Sequence, residues 1–210
     1  KVYEAMFSIC VRDFKKAAEL LLDSVATFTA LEMFSYKDLI YYTVVCSVLS
    51  LDRVSLKKKV IDSPDVLSMI LEIPGLSPYL NSLYDCDYRV FFESLVSLHA
   101  SLSRDRYLSQ HLVFYIREMR VKAYSQFLDS YLSVTVASMA DSFGVGEPFL
   151  DRELSQFIAS GRLNAKIDKL DGVIVTNRPD TRTAEYQAVL KHGDVLLNRI
   201  QRLARVVSVQ

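Results

Sequence analysis

A change of hydrophobic period in the last third of the chain constrains its fold more than any other feature. Up to about residue 160, apolar residues recur every three or four positions, as on one face of a helix. From Leu163 the period drops to two. Leu163, Ala165 and Ile167 alternate with Asn164, Lys166 and Asp168, and Val173 and Val175 follow Asp171-Gly172. A three-residue loop, 170–172, would put the apolar residues of both strands on one face, with Gly172 in the left-handed conformation such loops need. Two short helices come before this hairpin. The first, 133–142, is capped by Ser133, buries Val134, Val136, Ala137, Met139, Ala140 and Phe143, and stops at Gly144. The second, 147–161, opens at Pro148, turns Leu150, Leu154, Phe157 and Ile158 inward and ends at Gly161. Helix, turn, helix, hairpin is the order of a winged helix.

The first 132 residues read as successive helices. Spacing predicts them over 1–11, 12–28, 35–50, 56–61, 65–71, 78–84, 88–101 and 109–131. Ser35 caps the third, with Asp38 in its first turn. Small Ala17 and Ala18 beside Leu21 and Leu22 suit a closely packed helical hairpin. Pro74, Gly75 and Pro78 mark the clearest break. Antiparallel pairs joined by short turns predict a right-handed α-solenoid of tetratricopeptide type, although no 34-residue self-similarity is visible. The 109–131 helix bridges solenoid and winged helix. The expected division is a helical-repeat part at 1–132, a winged helix at 133–180 and a C-terminal helix at 181–210.

That last helix, predicted over 183–207, carries Tyr186, Leu190, Gly193, Leu197, Ile200, Ala204 and Val207 at alternating spacings of four and three. Val189, Leu196 and Leu203 widen the stripe. Part of this face is expected to pack on its own domain. Ten apolar or small positions exceed what one small winged helix can cover, and a surplus apolar face on a long helix seeks partner helices. The partner-facing residues are therefore expected to be Leu190, Leu196, Leu197, Ile200, Leu203, Val206 and Val207, with Ile174 on the hairpin. An open strand edge offers a second docking mode.

Composition narrows the function. Half the residues are apolar, and 25 basic residues balance 25 acidic ones, which argues against disorder and puts nucleic-acid binding at a disadvantage. The second winged-helix helix carries Glu147, Asp151 and Glu153 against Arg152, which repels phosphates. The apolar run 39–51 falls short of the roughly 18 residues that cross a bilayer. Cys10, Cys46 and Cys86 form no CxxC or Cys/His cluster and read as buried, reduced thiols. His99, His111 and His192 lack metal-ligand spacing. Gly144-Val145-Gly146 lacks the third glycine of a phosphate loop, and no GxSxG is present. The reading is no enzyme, no cofactor, no metal, no membrane and no small-molecule substrate. The chain opens at Lys1 without an initiator methionine and reads as an excised part of a longer protein.

Several strings carry a family resemblance. They are RDFKKAAELLLDSVATF (12–28), SLYDCDYRVFF (82–92), REMRVKAYSQFLDSY (117–131), FGVGEPFLDRELSQFIASGRLNAKID (143–168), TNRPD (176–180) and the terminal GDVLLNRIQRLARVV (193–207). With helical repeats leading into a winged helix and a long terminal helix, they resemble the PCI family of the proteasome lid, the COP9 signalosome and the initiation factor three complex, and most of all its non-ATPase proteasome lid subunits. The resemblance implies a non-catalytic scaffold in cytoplasm and nucleus. It would contact other PCI-domain lid subunits through the winged helix and terminal helix, and the lid would dock on the ATPase base. A COP9-type scaffold and a winged-helix nucleic-acid module are the alternatives.

Overall fold

The computed structural model describes residues 1–29, 32–176 and 181–207, the side chains of 181–184 and 205–207 excepted. The first helices, α1 (Val2–Cys10) and α2 (Phe14–Ser24), form a hairpin. Its turn reverses at Arg12, held at φ +72°, an unfavourable conformation for a residue with a Cβ. Long-range contacts hold it there. The Arg12 guanidinium stacks 4.9 Å from the Phe114 ring centroid, and its Nε donates to His111 Nδ1 at 3.3 Å. Asp13 then caps α2 by accepting from the Lys16 amide. The expected 12–28 helix is shorter than its periodicity implies, with a 3-10 turn, Val25–Thr27, at its end. Ala17 and Ala18 are fully buried between α1 and α3 (Tyr36–Ser50), which is where small residues allow helices to approach. Ser35 and Asp38 form a reciprocal capping box at the start of α3, satisfying two otherwise orphaned amides.

The chain continues through α4 (Arg53–Leu56), a π-turn (Lys57–Ile61), α5 (Pro64–Ile70), α6 (Leu76–Asp85), α7 (Tyr88–Arg104), a 3-10 turn (Ser109–His111) and α8 (Leu112–Leu128). Three hydroxyl and carbonyl groups link these layers deep in the core. Tyr115 donates to the Val45 carbonyl at 3.1 Å, and Tyr79 lies 2.6 Å from the Tyr115 hydroxyl. Both rings are buried, so the polar tips need these partners. Of the three cysteines only Cys46 is buried. Cys86 is half-buried and Cys10 exposed, which corrects the expectation for those two. Cys10 closes α1 on its outer side, where only its carbonyl turns inward, toward His111 Nε2 at 3.1 Å.

The winged helix follows as β1 (Ser133–Thr135), α9 (Val136–Phe143), α10 (Glu147–Ala159), β2 (Ala165–Asp168) and β3 (Val173–Thr176). Two expectations change here. Ser133 caps no helix, because 133–135 is a strand paired antiparallel with β3, and Thr135 caps α9 instead by accepting from the Ser138 amide. The hairpin loop is also one residue longer than expected. Asp168 pairs with Val173 and Ile167 with Ile174, leaving four residues in the loop. One residue of slip exchanges the two faces of a strand. Ile174 therefore faces the core with no exposure, and Val175 faces outward at 47%. The strand order is β1-β3-β2. The last helix, α11, runs Thr181–Val207.

Phe143, at the end of α9, joins the winged helix to the helical array. Its ring centroid lies 4.8 Å from that of Tyr88, 5.0 Å from Tyr124, 5.2 Å from Phe92 and 5.4 Å from Phe127. Burying one such ring contributes about 1.5–3 kcal/mol, so this cluster is a strong hydrophobic tie between the two parts.

Candidate interaction surfaces

Polar groups reinforce that tie. Arg120 on α8 forms an ion pair with Glu153 on α10, and Tyr124 donates to the other Glu153 oxygen at 2.9 Å. Burial, then the neighbouring carboxylate, raises the Tyr124 hydroxyl well above its ordinary range, so it stays a donor. Arg162 after α10 pairs with Glu118 on α8. These contacts take Glu153 out of the outward-facing charge of α10 and leave Glu147 and Asp151 on its first two turns, near Lys169 at 3.4 Å from Asp151.

The sheet offers two edges, β1 and β2, because β3 lies between them. Ile174 is on the central strand and buried, so it cannot contact a partner and leaves the partner-facing set; its physical place is the core, for the register reason given above. Val175, which alternation had placed in the core, is the exposed apolar residue of the hairpin.

The terminal helix departs further from expectation. Every described side chain from Glu185 to Leu203 is exposed. Leu190 is 65% exposed, Leu196 58%, Leu197 58%, Ile200 65% and Leu203 64%. The part expected to pack on its own domain therefore does not do so among the described residues. Val206 and Val207 belong to α11, but their side chains lie outside those described, as do Arg178, Asp180 and Arg182. A second apolar surface went unnoticed in the sequence. Val96 on α7, Ile116 on α8, and Val145 and Phe149 around the start of α10 line one groove. Val96 was the available signal, an apolar residue on the outer face of α7.

The histidines stay apart. His99 borders that groove, His111 is buried beneath the α1–α2 turn, and His192 on α11 bonds the Ala188 carbonyl at 2.8 Å. Among the described residues no group of three His, Cys, Asp or Glu side chains could hold a metal, and no helix is long and apolar enough to cross a membrane.

Helical layers, a three-stranded winged helix and a trailing amphipathic helix define the PCI class, and the PCI domain model matches residues 95–178. The model of 26S proteasome subunit RPN7 matches residues 1–59, and that of the 26S proteasome regulatory subunit RPN7/PSMD6 C-terminal helix matches 186–207. The chain belongs to this family of proteasome regulatory subunits and aligns with their C-terminal portion. It is 54% identical over 209 residues to the 26S proteasome non-ATPase regulatory subunit 6 homolog of Arabidopsis thaliana, covering 100% of this chain and 54% of that protein. It is 42% identical over 213 residues to the 26S proteasome regulatory subunit RPN7 of Saccharomyces cerevisiae, covering 100% of this chain and 50% of the relative. COP9 signalosome complex subunit 1 of Arabidopsis thaliana is 30% identical over 163 residues, covering 78% of this chain and 37% of the relative. The chain spans about half the length of the proteasomal relatives it matches.

Proposed function

We propose that this chain is a non-catalytic assembly scaffold of the proteasome regulatory-particle lid, active in cytoplasm and nucleus. The exposed apolar stripe of α11 carries the reading. Leu190, Leu196, Leu197, Ile200 and Leu203 lie in water along one helix face. An exposed patch of that extent marks an interaction surface. Val206 and Val207 extend the same periodic stripe in sequence. Neighbouring PCI subunits pair with the free edges of β1 and β2 or lie against the winged helix, and their terminal helices cover α11. The assembled lid docks on the ATPase base. The parts divide as 1–132, 133–180 and 181–210, with α8 at the end of the first part tied to the second by the Arg120–Glu153 and Glu118–Arg162 ion pairs. Groove binding of nucleic acid is disfavoured by Glu147 and Asp151 at the start of α10, the helix a DNA-reading winged helix inserts.

Affinity purification of the tagged full-length protein from cells, followed by mass spectrometry and a peptidase assay, tests this. Lid subunits, ATPases and peptidase activity are expected in stoichiometric amounts. Recovery of cullins and signalosome subunits would transfer the scaffold role to that complex, and recovery of neither would end the reading.

A further inference from the structure

The terminal helix carries a glycine that its own fold does not require. Gly193 lies in the interior of the 27-residue α11, where glycine is the poorest helix former short of proline. A Cβ built on it meets nothing within 4 Å, and its backbone has none of the left-handed geometry that favours glycine. Neither space nor conformation within the chain explains the residue.

Its position on the helix does. Three and four residues to either side stand Val189, Leu190, Leu196 and Leu197, exposed at 69%, 65%, 58% and 58%. Residues at these spacings share a helix face. Four large side chains thus border a depression one side chain deep, the shape that receives a knob when helices interlock. Charge narrows the occupant. From Val195 to Leu203 the helix has no carboxylate; Arg199 borders the apolar stripe, while Arg202, nine residues from Gly193, falls on the opposite face.

We propose that the depression over Gly193 receives a bulky apolar side chain from a partner helix, and that this helix presents a carboxylate to Arg199. Gly193 then determines how closely that helix can lie on α11 and in which register. This rests on the reading of α11 as an assembly helix.

The test compares wild type with Gly193→Ala, Gly193→Leu and Arg199→Glu, each expressed as the tagged full-length protein in place of the native copy. Regulatory-particle subunits captured per tagged chain are measured by quantitative mass spectrometry. Alanine and leucine both favour helix over glycine, so thermal melting should hold or rise. Capture should nevertheless fall, by roughly threefold for alanine and about tenfold for leucine, as overpacking predicts. Arg199→Glu should also capture less. Wild-type capture by Gly193→Leu would overturn the knob, and wild-type capture by Arg199→Glu would overturn the acidic partner. If wild type itself captures no regulatory particle, the assembly reading falls and this inference with it.

Discussion

Lys122 shows what a single buried charge does in this fold. Its ammonium donates to the carbonyls of Val48, Leu49 and Leu51, the groups left open where α3 ends. Burial lowers its pKa from 10.5 to about 8, and the nearby Asp52 only partly opposes this. Between those two values the unfolded chain holds a proton that the folded chain has released, so stability from this group rises with pH across the window and is lost as pH falls through about 8. The unfolding free energy of wild type minus that of Lys122→Met should grow between pH 8 and 10 by on the order of 2 kcal/mol. Urea titrations at a series of pH values check this, and a flat difference would mean the carbonyls hold the proton in place. The thiols give a second residue-scale prediction. Desolvation and, less, Asp105 push the buried Cys46 thiol far up, whereas Cys10 is exposed. A maleimide should label Cys10 in the native protein and Cys46 only after unfolding, with peptide mapping as the readout. Rapid native labelling of Cys46 would show that the α3 core opens. Neither environment was legible beforehand. Sequence shows an isolated cysteine, but which side of a helix end it takes depends on where the next helix packs.

At the scale of elements, local chemistry was legible and long-range pairing was not. The capping box at Ser35 and Asp38, the helix stop at Gly144 and the left-handed loop position at Gly172 are set within a few residues, and each forms as its residues imply. β1 was missed because Ser-Val-Thr has no strand signature of its own; it exists through pairing with β3 some forty residues later. The hairpin register failed for a related reason. One residue in the loop decides which valine or isoleucine is buried, and the alternation fits either length. These two glycines allow a matched test. Both have positive φ, +65° at Gly144 and +62° at Gly172. A Cβ at Gly144 would also stand 3.0 Å from Arg89 Nε, while at Gly172 it would meet nothing within 4 Å. Gly172→Ala should cost about 1 kcal/mol of backbone strain. Gly144→Ala should cost that and roughly another 0.5–1 kcal/mol for displacing a flexible arginine. Chemical denaturation of both variants measures the difference. Equal losses would show that Arg89 moves aside freely.

For the whole molecule, α11 is where sequence and structure divide most clearly. The 4–3 spacing identified an amphipathic helix with more apolar face than a winged helix needs. It could not show how the face is shared between the chain and its partners, because amphipathicity fixes the existence of a partner surface and not its owner. In the structure the described stripe is exposed along its length, so the helical array and winged helix carry their stability without it. Removing 203–210 therefore separates the two roles. The shortened chain should melt at the wild-type temperature by circular dichroism, because Leu203 is exposed and the core clusters around Phe143 and Tyr115 are intact. The same deletion in the full-length protein should reduce capture of regulatory-particle subunits severalfold, because it shortens the face available to neighbouring helices. A lowered melting temperature would mean that the end of α11 folds back on its own domain, and the stripe would then be core. Unchanged melting with unchanged capture would confine the assembly surface to Leu190 through Ile200, around the Gly193 depression.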